Sequence, residues 1–546
     1  MADANGQVKI LEIDEAFNQE DQHFDPDYYD HEVLNNADNA FVYSPYLSKS
    51  LYIKGLQCHK ALWLHKYKPE LQDEVSDSLQ AVFDSGTNVG ILAQQLFPGG
   101  VEVPYDGFTH EEQLARTEEL IADGETTIYE ATFSFDNILV KVDILHRSDS
   151  GWELYEVKAS TKLKKVYLHD IAVQYYVLMG CRLNLSKTAL VHINNKYVRQ
   201  GNIEADKLFT TLDITSEVIS RQTELKANII AIRDMLQGDM PQIDIGPHCS
   251  DPYECSFGGH CWKHIPENSV FEFRGHGKPN AFELYRQGIV RMEDVPPDKL
   301  GWRQKLQLDG LLYHKNHFDT DAVREFLDSL WYPLCFMDFE TTYMTPVPQF
   351  DFARPYQPIP FQFSLHVIQA PGSEIQHYEF LSDGSEDHRR GLIGRLLSYI
   401  PENACILAWN QKFEKRILRD LGQLFPEMDL TISTAISNIR DLMSPFASKA
   451  IYNWQFKGFY TLKTALPVIV PDLSYDALEV CNGEMASTAW LKMTQTQAAE
   501  EREMLRQQLL QYCHLDTLAM IKILEKITEM VNQGKETQAL YNTVDA

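Results

Sequence analysis

Two stretches of this chain alternate strand-like runs with helical patterns, and this alternation restricts the fold more than any other feature. In the first stretch, residues 126–147 are predicted to form two strands around a turn at Asp136, and residues 152–158 a third strand. Residues 112–123 and 168–180 have helical patterns. Mixed strand and helix patterns of this kind predict an α/β fold.

The second α/β stretch begins at the apolar strand Leu334–Met337 and ends in a long helical pattern from about Gln497 to Val531. A chain of 546 residues is too long for one hydrophobic core. We therefore divide it into an acidic disordered arm (1–45), a first α/β domain (46–264), a helical connector (265–328), a second α/β domain (329–535) and a tail (536–546).

Charge and hydropathy exclude several classes of protein. The net charge of −29 argues against a protein that coats nucleic acid nonspecifically, since phosphate would be repelled. The net charge does not exclude an enzyme that acts on nucleic acid, because bound cations make the local charge at a metal site positive. No apolar run approaches the ~18 residues that span a bilayer, and the first residues lack the regions of a secretory signal. We expect a soluble, cytoplasmic protein.

The N-terminal arm is strongly acidic. Between Glu12 and Asp38 it holds ten Asp or Glu residues and no Lys or Arg. This composition is typical of a solvated, disordered segment. The alternative is an arm that binds a protein partner or mimics DNA.

An apolar strand that ends in two acids is the strongest chemical signal. The strand Leu334–Met337 runs into Asp338 and Glu340. Side chains alternate along a strand, so both carboxylates project from one face. Adjacent carboxylates repel each other unless a cation lies between them, which predicts a Mg²⁺ or Mn²⁺ site. Ordinary surface carboxylates are the alternative.

Further acids follow in a defined order. A second apolar strand, 406–410, precedes Glu414 at the start of a helical pattern. Far downstream, Tyr512 and Asp516 are four residues apart and share one helical face. This order resembles the tyrosine-containing DEDD exonucleases, the DnaQ-like branch of the ribonuclease-H-like fold, over about residues 330–530.

The DEDD resemblance implies a ribonuclease-H-like domain with a mixed sheet and a two-metal 3′→5′ exonuclease site. The implied ligands of the Mg²⁺ or Mn²⁺ ions are Asp338, Glu340, Glu414 and Asp516. Tyr512 would position the attacking water. The second motif of the family normally supplies Asp, so Glu414 is a departure, and Asp441 is the alternative ligand.

A second constellation lies in the first α/β stretch. Asp143 stands on one predicted strand, and Glu156 and Lys158 are two residues apart on the next, so acid and amine face one site. With Gln174 on the following helix, this pattern resembles the RecB-like branch of the PD-(D/E)xK nucleases. The resemblance implies acids that hold a divalent cation and a lysine that orients water or offsets charge on phosphate.

One part of the RecB-like pattern differs. Many of these nucleases carry a metal-binding His on the first helix, where this chain has Gly90. Glu130 is a candidate replacement ligand. The sequence is compatible both with an active nuclease site here and with a site that binds nucleic acid without cleaving it.

The nine cysteines indicate a metal centre rather than disulfides, because their number is odd and three fall in one short segment. Cys249, Cys255 and Cys261 follow one another at intervals of six, and Cys58 lies far upstream. One early and three late cysteines around a PD-(D/E)xK core resemble the iron–sulfur-stapled nucleases, which include CRISPR-associated RecB-like exonucleases and the nuclease domain of AddB. The resemblance implies a [4Fe–4S] cluster.

The cysteine spacing is wider than the usual iron–sulfur pattern. Zn²⁺ is therefore an alternative, with His248 or His260 replacing a thiolate, and so are four buried cysteines without metal. The remaining cysteines lack ligand spacing and are predicted to be core residues: Cys181, Cys335, Cys405, Cys481 and Cys513.

The whole arrangement resembles bacterial fusions of a cysteine-clustered RecB-like nuclease domain to a DEDD-type domain. We expect a metal-dependent DNA nuclease of DNA repair or of defence against phages and mobile elements, with two catalytic sites. The alternatives are an exonuclease whose N-terminal domain only binds nucleic acid, an RNA-directed nuclease, and an inactive scaffold that recruits partners through the arm.

Two groups of lysines are candidate phosphate contacts or solvated charged faces: Lys54, Lys60, Lys66 and Lys68, and Lys158, Lys162, Lys164 and Lys165. The Pro- and aromatic-rich segment 355–362 is predicted either to stack bases near the second site or to pack as a structural loop. The 18 histidines form no further motif, and no phosphate-binding GxxxxGK[ST] loop is present.

Overall fold

The structure, a computed structural model, describes residues 47–75, 77–342 and 345–533. The predicted acidic arm (1–45) and tail (536–546) lie outside the described residues. The described chain forms two compact units, residues 47–264 with 345–357 and residues 265–342 with 358–533. Among the described helices, none combines the length and the apolar character that crossing a membrane requires.

A seven-stranded sheet forms the centre of the first unit. Its strands are β1 (Leu47–Ser48), β2 (Val101–Glu102), β3 (Thr127–Phe135), β4 (Ile138–Ser148), β5 (Gly151–Lys158), β6 (Leu185–Ile193) and β7 (Phe209–Asp213). They lie in the order β2-β3-β4-β5-β6-β7, and β1 also pairs with β4. The sheet is mixed, since β2–β3, β1–β4 and β5–β6 are parallel and the other pairs are antiparallel.

Helices pack on both faces of this sheet, and nine α-helices are described in this unit. They are α1 (Lys49–Gln57), α2 (His59–Tyr67), α3 (Asp77–Ala93), α4 (His110–Ala122), α5 (Lys165–Gly180), α6 (Ala205–Leu208), α7 (Thr215–Ser220), α8 (Gln222–Leu236) and α9 (Gly258–Cys261). Alternation along β5 divides the core: Leu154 packs with α1, α5 and α8, whereas Tyr155 and Val157 pack with the end of α3.

A five-stranded sheet organises the second unit, next to a two-stranded one. The strands are β8 (His317–Phe318), β9 (Leu334–Thr341), β10 (Pro360–Ile368), β11 (Gln376–Leu381), β12 (Cys405–Ala408), β13 (Ile439–Asp441) and β14 (Ile451–Tyr452). The large sheet has the order β11-β10-β9-β12-β13, and β8 pairs with β14. Strands β9 to β11 are antiparallel, while β12 is parallel to β9 and β13.

The helices of the second unit are α10 (Ala281–Arg286), α11 (Trp302–Tyr313), α12 (Thr320–Asp328), α13 (Arg389–Tyr399), α14 (Gln411–Leu424), α15 (Asp429–Asn438), α16 (Ser444–Ala447), α17 (Leu462–Ile469), α18 (Gly483–Gln495) and α19 (Ala499–Asn532). Odd-numbered residues of β9, such as Met337, pack with α13, α14 and α15. Phe336 lies on the opposite face and packs with α17, α18 and α19. Asp338 and Glu340 share the face of Phe336 by strand alternation.

The predicted mixture of strands and helices is confirmed, and both large sheets are mixed. The expected strands near 126–147 and 152–158 are observed as β3, β4 and β5, and the long C-terminal helix as α19. Residues 265–328, expected to be a separate connector, group with the second unit.

Candidate functional site

Two strand acids and one helix cysteine converge beneath α19 in the second unit. A carboxylate oxygen of Asp338, one of Glu340 and the sulfur of Cys513 all lie within 4.8 Å of one another. The Cys513 thiol lies 3.7 Å from Asp338 Oδ2. Glu340 is buried and Asp338 is partly buried. The sequence prediction that both carboxylates share one face therefore agrees with the observed geometry.

The other predicted members of this site lie beside these acids. Tyr512 and Asp516 are buried on one face of α19, and the Tyr512 side chain hydrogen-bonds Asp516. Glu414 lies in the first turn of α14, which Asn410 begins with a left-handed backbone (φ 67°). The Glu414 carboxylate is buried, and its Oε2 has no hydrogen-bond partner among the residues that the structure describes.

Crowding of buried carboxylates dominates the electrostatics of this site. Burial, together with Asp516, raises the pKa of Asp338 well above its usual range. The pKa of Glu340 is also raised well above its usual range, by burial and by the charges of Asp338 and Asp516. Burial and the charge of Asp338 raise the pKa of Glu414 in the same way. Burial raises the pKa of Asp516 to about 6. The chemistry of such a group suits a divalent cation, because a cation would offset both the repulsion between the carboxylates and the cost of their desolvation.

Asp441, the alternative to Glu414, has a structural role. Its Oδ1 accepts hydrogen bonds from the backbone N–H groups of Asn410 (3.1 Å) and Met443 (3.0 Å). These bonds fix the turn that leads into α14. The carboxylate that faces Asp338 with an unpartnered oxygen is that of Glu414.

Sequence reasoning missed Tyr475 and the role of Cys513 at this site, whereas the segment 460–463 was expected near it. The hydroxyl of Tyr475 donates to Asp516 Oδ1 at 2.5 Å and is buried. Cys513, predicted to be a core residue, is buried but touches Asp338. The ammonium of Lys463 lies 5.5 Å from the centre of the Tyr512 ring and lowers the pKa of Asp516. Cys513 could have been predicted near the site, because it lies between Tyr512 and Asp516 in the sequence. Tyr475 could not, because it lies in an irregular segment without a motif.

A cluster of three histidines lies under the same helix. His366 on β10 pairs directly across the strands with His377 on β11, and His514 projects from α19. One ring nitrogen from each lies within 4.8 Å of those of the other two. Burial and the neighbouring imidazoles lower the pKa of His366 to about 3 and that of His377 to about 4. The sequence prediction that the histidines form no further motif misses this cluster.

In the first unit, Glu156 and Lys158 lie in a buried network of charges. Lys158 Nζ is 3.0 Å from Glu156 Oε1 and 3.0 Å from Asp170 Oδ2. Lys49, at the start of α1, lies 2.7 Å from Glu156 Oε1 and 3.5 Å from Asp170 Oδ1. Gln174 donates to Glu156 Oε2 at 2.6 Å. Lys49 and Asp170 were not predicted to belong to this site. Asp170 could have been, because it lies four residues before Gln174 and so shares its face of α5.

Asp143 and Glu130 lie on neighbouring strands of the same site. Asp143 Oδ2 accepts from the backbone N–H of Val157 at 2.5 Å. Glu130 has a left-handed backbone (φ 54°), and the residues on either side of it pair with those on either side of Asp143. Burial raises the pKa of Glu130 to about 7, against the opposing effect of Lys49. The structure therefore brings the four predicted residues Asp143, Glu156, Lys158 and Gln174 to one site, together with Glu130.

The four predicted cluster cysteines meet around one small cavity, which His248 also lines. Burial raises the pKa of Cys255 to about 12, and the other three sulfurs act in the same direction. Gln57 ties the two distant segments together, because its Nε2 donates to the carbonyls of His248 (2.8 Å) and Tyr253 (2.6 Å). His260 is not among the residues that line this cavity.

The lysine prediction needs correction at two residues, and the structure decides between the two alternatives for Tyr356. Lys54 and Lys158 are buried, with Lys54 3.4 Å from Ser256 Oγ, so neither can form part of an exposed phosphate track. Tyr356, from the segment predicted to stack bases or to pack, donates its hydroxyl to the carbonyl of Ala159 at 2.6 Å within the first unit. Its ring packs with the core of that unit. Tyr356 therefore belongs to a packed structural loop, the second of the two alternatives.

Comparisons with known proteins give one family match. Residues 335–461 are similar to the family described as a domain of unknown function, DUF2779. The matched region contains Asp338, Glu340 and Glu414, and it ends before Tyr512 and Asp516. A search of the curated proteins found no match.

Proposed function

We propose that the protein is a metal-dependent nuclease with a 3′→5′ exonuclease site in its second unit. The observation that carries the proposal is the convergence of four acids whose pKa values are all raised: Asp338, which is partly buried, and Glu340, Glu414 and Asp516, which are buried. Ordinary surface carboxylates would be solvated and well separated. The buried, unpartnered oxygen of Glu414 also fits a cation ligand.

The sheet order supports a ribonuclease-H-like fold for this unit. Three antiparallel strands, β9 to β11, are followed by β12 and β13, which run parallel to β9 on its other side. The central strand β9 carries the first acid pair, and α19 carries Tyr512 and Asp516. This agrees with the DEDD resemblance of the motifs.

Asp338, Glu340, Glu414 and Asp516 would hold Mg²⁺ or Mn²⁺. Divalent cations bound there would lower the pKa of an attacking water and stabilise the leaving oxygen of a phosphodiester. Tyr512 would orient that water through its hydroxyl. Lys463 supplies positive charge next to the acids, where a phosphate would approach. Tyr475 holds one oxygen of Asp516 and so orients that ligand.

The experiment uses the full chain on linear DNA with a blocked 5′ or 3′ end. Wild-type protein with Mg²⁺ releases nucleotides from a free 3′ end, and Asp338→Asn with Glu340→Gln abolishes this release. The control is Asp472→Asn, an exposed carboxylate of the same unit. Unchanged activity in the double variant would overturn the proposal. Parallel RNA substrates separate a DNA nuclease of repair or defence from an RNA-directed one.

For the first unit we propose a second, RecB-like nuclease site. Glu130, Asp143, Glu156 and Asp170 supply four acids, and Lys49 and Lys158 two amines, so an excess of acid is left for a divalent cation. The alternative is a binding module, because Lys49 already neutralises Glu156 at 2.7 Å. Circular single-stranded DNA separates these functions. Cleavage that Glu156→Gln removes supports catalysis, whereas binding without cleavage supports the module.

We also propose that Cys58, Cys249, Cys255 and Cys261 hold a [4Fe–4S] cluster. Four thiolates on one Zn²⁺, at about 2.3 Å each, would lie roughly 3.8 Å apart. Among the described residues, no group of three with ligand atoms within 4.8 Å includes these sulfurs. The wider spacing favours a cluster, in which each thiolate binds a different iron. Its role would be to join α2 to the segment around Cys255.

A further inference from the structure

We propose that His366, His377 and His514 form a binding site for a single transition-metal ion, Zn²⁺ or a divalent ion of similar preference, separate from the carboxylate site. Three imidazoles from three different elements, β10, β11 and α19, converge on one point. Imidazole is the ligand that suits such ions, whereas Mg²⁺ prefers carboxylates. Three protein nitrogens with a fourth position left open is a recurring zinc arrangement.

The distances fit such an ion. Nitrogens bound at about 2.0–2.1 Å in a tetrahedron lie roughly 3.3 Å apart. His514 Nδ1 lies 3.3 Å from Nε2 and 3.4 Å from Nδ1 of His377. All three ligand atoms lie within 4.8 Å of one another, so an ion needs to draw His366 in by about 1.5 Å or less. The rings of His377 and His514 are only partly buried, which gives an ion a route of entry.

A hydroxyl network behind the rings orients them. His366 Nδ1 lies 2.8 Å from Thr517 Oγ1, and His377 Nε2 lies 3.0 Å from Ser364 Oγ. The two hydroxyls are 2.7 Å apart, and Thr517 reaches the carbonyl of His514 at 3.1 Å. When the Thr517 hydroxyl donates to that carbonyl, Thr517 Oγ1 can accept from His366 Nδ1–H and from the Ser364 hydroxyl. Ser364 Oγ then accepts from His377 Nε2–H.

In this arrangement Nε2 of His366 and Nδ1 of His377 carry no proton, so each can donate a lone pair to an ion. Metal-binding histidines usually donate their second N–H to an oxygen in this way, which fixes the tautomer and the ring orientation. Thr517 and Ser364 are buried, so water does not supply these bonds in their place.

The ion would also fasten α19 to the edge of the sheet. His514 directly follows Cys513, which touches Asp338, and lies two residues before Asp516. An ion on His514 and on both strands would therefore limit the movement of the helix turn that carries the exonuclease residues. The inference of metal binding itself does not depend on the proposed nuclease activity.

The test titrates purified full-length protein with Co²⁺ as a probe for Zn²⁺, in excess Mg²⁺ and with the cysteine cluster already filled. We expect one Co²⁺ per chain with visible absorption and no thiolate charge-transfer band. We expect His377→Ala and His514→Ala each to remove this signal. Both rings are only partly buried, so we expect both variants to fold. His276→Ala, an exposed histidine of the same unit, is the matched control and retains the signal.

Two further variants locate the ion. Thr517→Val removes the hydroxyl behind His366 and weakens Co²⁺ binding about 10–100-fold, the usual effect of losing an outer partner. Asp338→Asn with Glu340→Gln leaves the signal unchanged, although it abolishes exonuclease activity. The proposal is overturned if the histidine variants bind Co²⁺ as wild type does, or if the signal disappears with the carboxylate variant.

Discussion

Asp338 on β9 lies directly opposite Ser364 on β10 in the antiparallel register, and α19 covers this face of both strands. The pairing explains why an acidic cluster and a histidine cluster are neighbours. Gln362, Ser364 and His366 form a polar row along β10, beside the acids of β9. Cys513 and His514, consecutive on α19, then reach one cluster each. A single helix therefore serves both candidate metal sites.

The first prediction separates Glu414 from Asp441 as the third acid of the exonuclease site. Glu414→Gln removes a buried carboxyl group that would bind the cation. We expect a loss of at least about 100-fold in Mg²⁺-dependent nucleotide release, because losing even an outer partner of a metal ligand costs up to about 100-fold. Asp441→Asn keeps an oxygen that accepts from Asn410 and Met443, so its activity stays close to wild type. The reverse ranking in a labelled-DNA assay would assign the metal to Asp441.

The second prediction concerns Tyr475, which no motif indicated. Its hydrogen bond lowers the pKa of Asp516, so Tyr475→Phe raises that pKa above about 6. Asp516 must be ionised to bind a cation, and the acid limb of the pH–activity profile therefore moves to higher pH. We also expect about a 10–100-fold loss in Mg²⁺ affinity. A profile that is merely scaled down, without a shift, would mean that Tyr475 has only a packing role.

The sequence predicted the elements better than it predicted the sites. Strand alternation placed Asp338 with Glu340, and helical spacing placed Tyr512 with Asp516, because both depend on local geometry. His366 and His377 could not be paired from the sequence, since their meeting depends on the register of a hairpin. Lys49 reaches Glu156 across 107 positions, a contact that only the packing of α1 on the sheet creates.

The third prediction tests the buried charges of the first unit by stability. Lys158 has 2% of its side chain exposed, and Glu156 has 1%. Lys158→Met leaves Glu156 and Asp170 with less opposing charge, which should destabilise the protein by about 3–5 kcal/mol in urea unfolding. Adding Glu156→Gln removes one of the two acids that then share Lys49, and should recover part of this loss. If the double variant is less stable than Lys158→Met, repulsion between the acids is not the cause.

The fourth prediction identifies the metal at the cysteine cavity. Protein purified without oxygen should be brown, absorb near about 400 nm and contain iron rather than zinc. Cys255→Ser should remove the colour and destabilise the first unit, because Cys255 is central to the group. Cys481→Ser, which alters a cysteine of the second unit, should keep both colour and stability. A colourless protein with one zinc would establish the alternative metal.

The fifth prediction links pH, stability and Mg²⁺ at the exonuclease site. The raised pKa values of Asp338, Glu340 and Asp516, about 6 for Asp516, favour the neutral acids in the folded protein. Their contribution to stability is complete below about pH 4, near the ordinary carboxylate pKa, and is lost as pH rises through the raised values. Metal-free protein should therefore lose more stability between pH 5 and pH 8 than Asp338→Asn with Glu340→Gln.

Mg²⁺ should reverse this loss, because it neutralises the ionised acids. At a concentration 100-fold above its Kd, a ligand of the folded state alone adds about 2.7 kcal/mol. Thermal unfolding at pH 8, with Mg²⁺ or with a chelator, measures the effect in wild type, in the double variant and in the surface control Asp472→Asn. Equal Mg²⁺ stabilisation of wild type and the double variant would place the binding ion away from Asp338 and Glu340, and the carboxylate site would lose its assigned role.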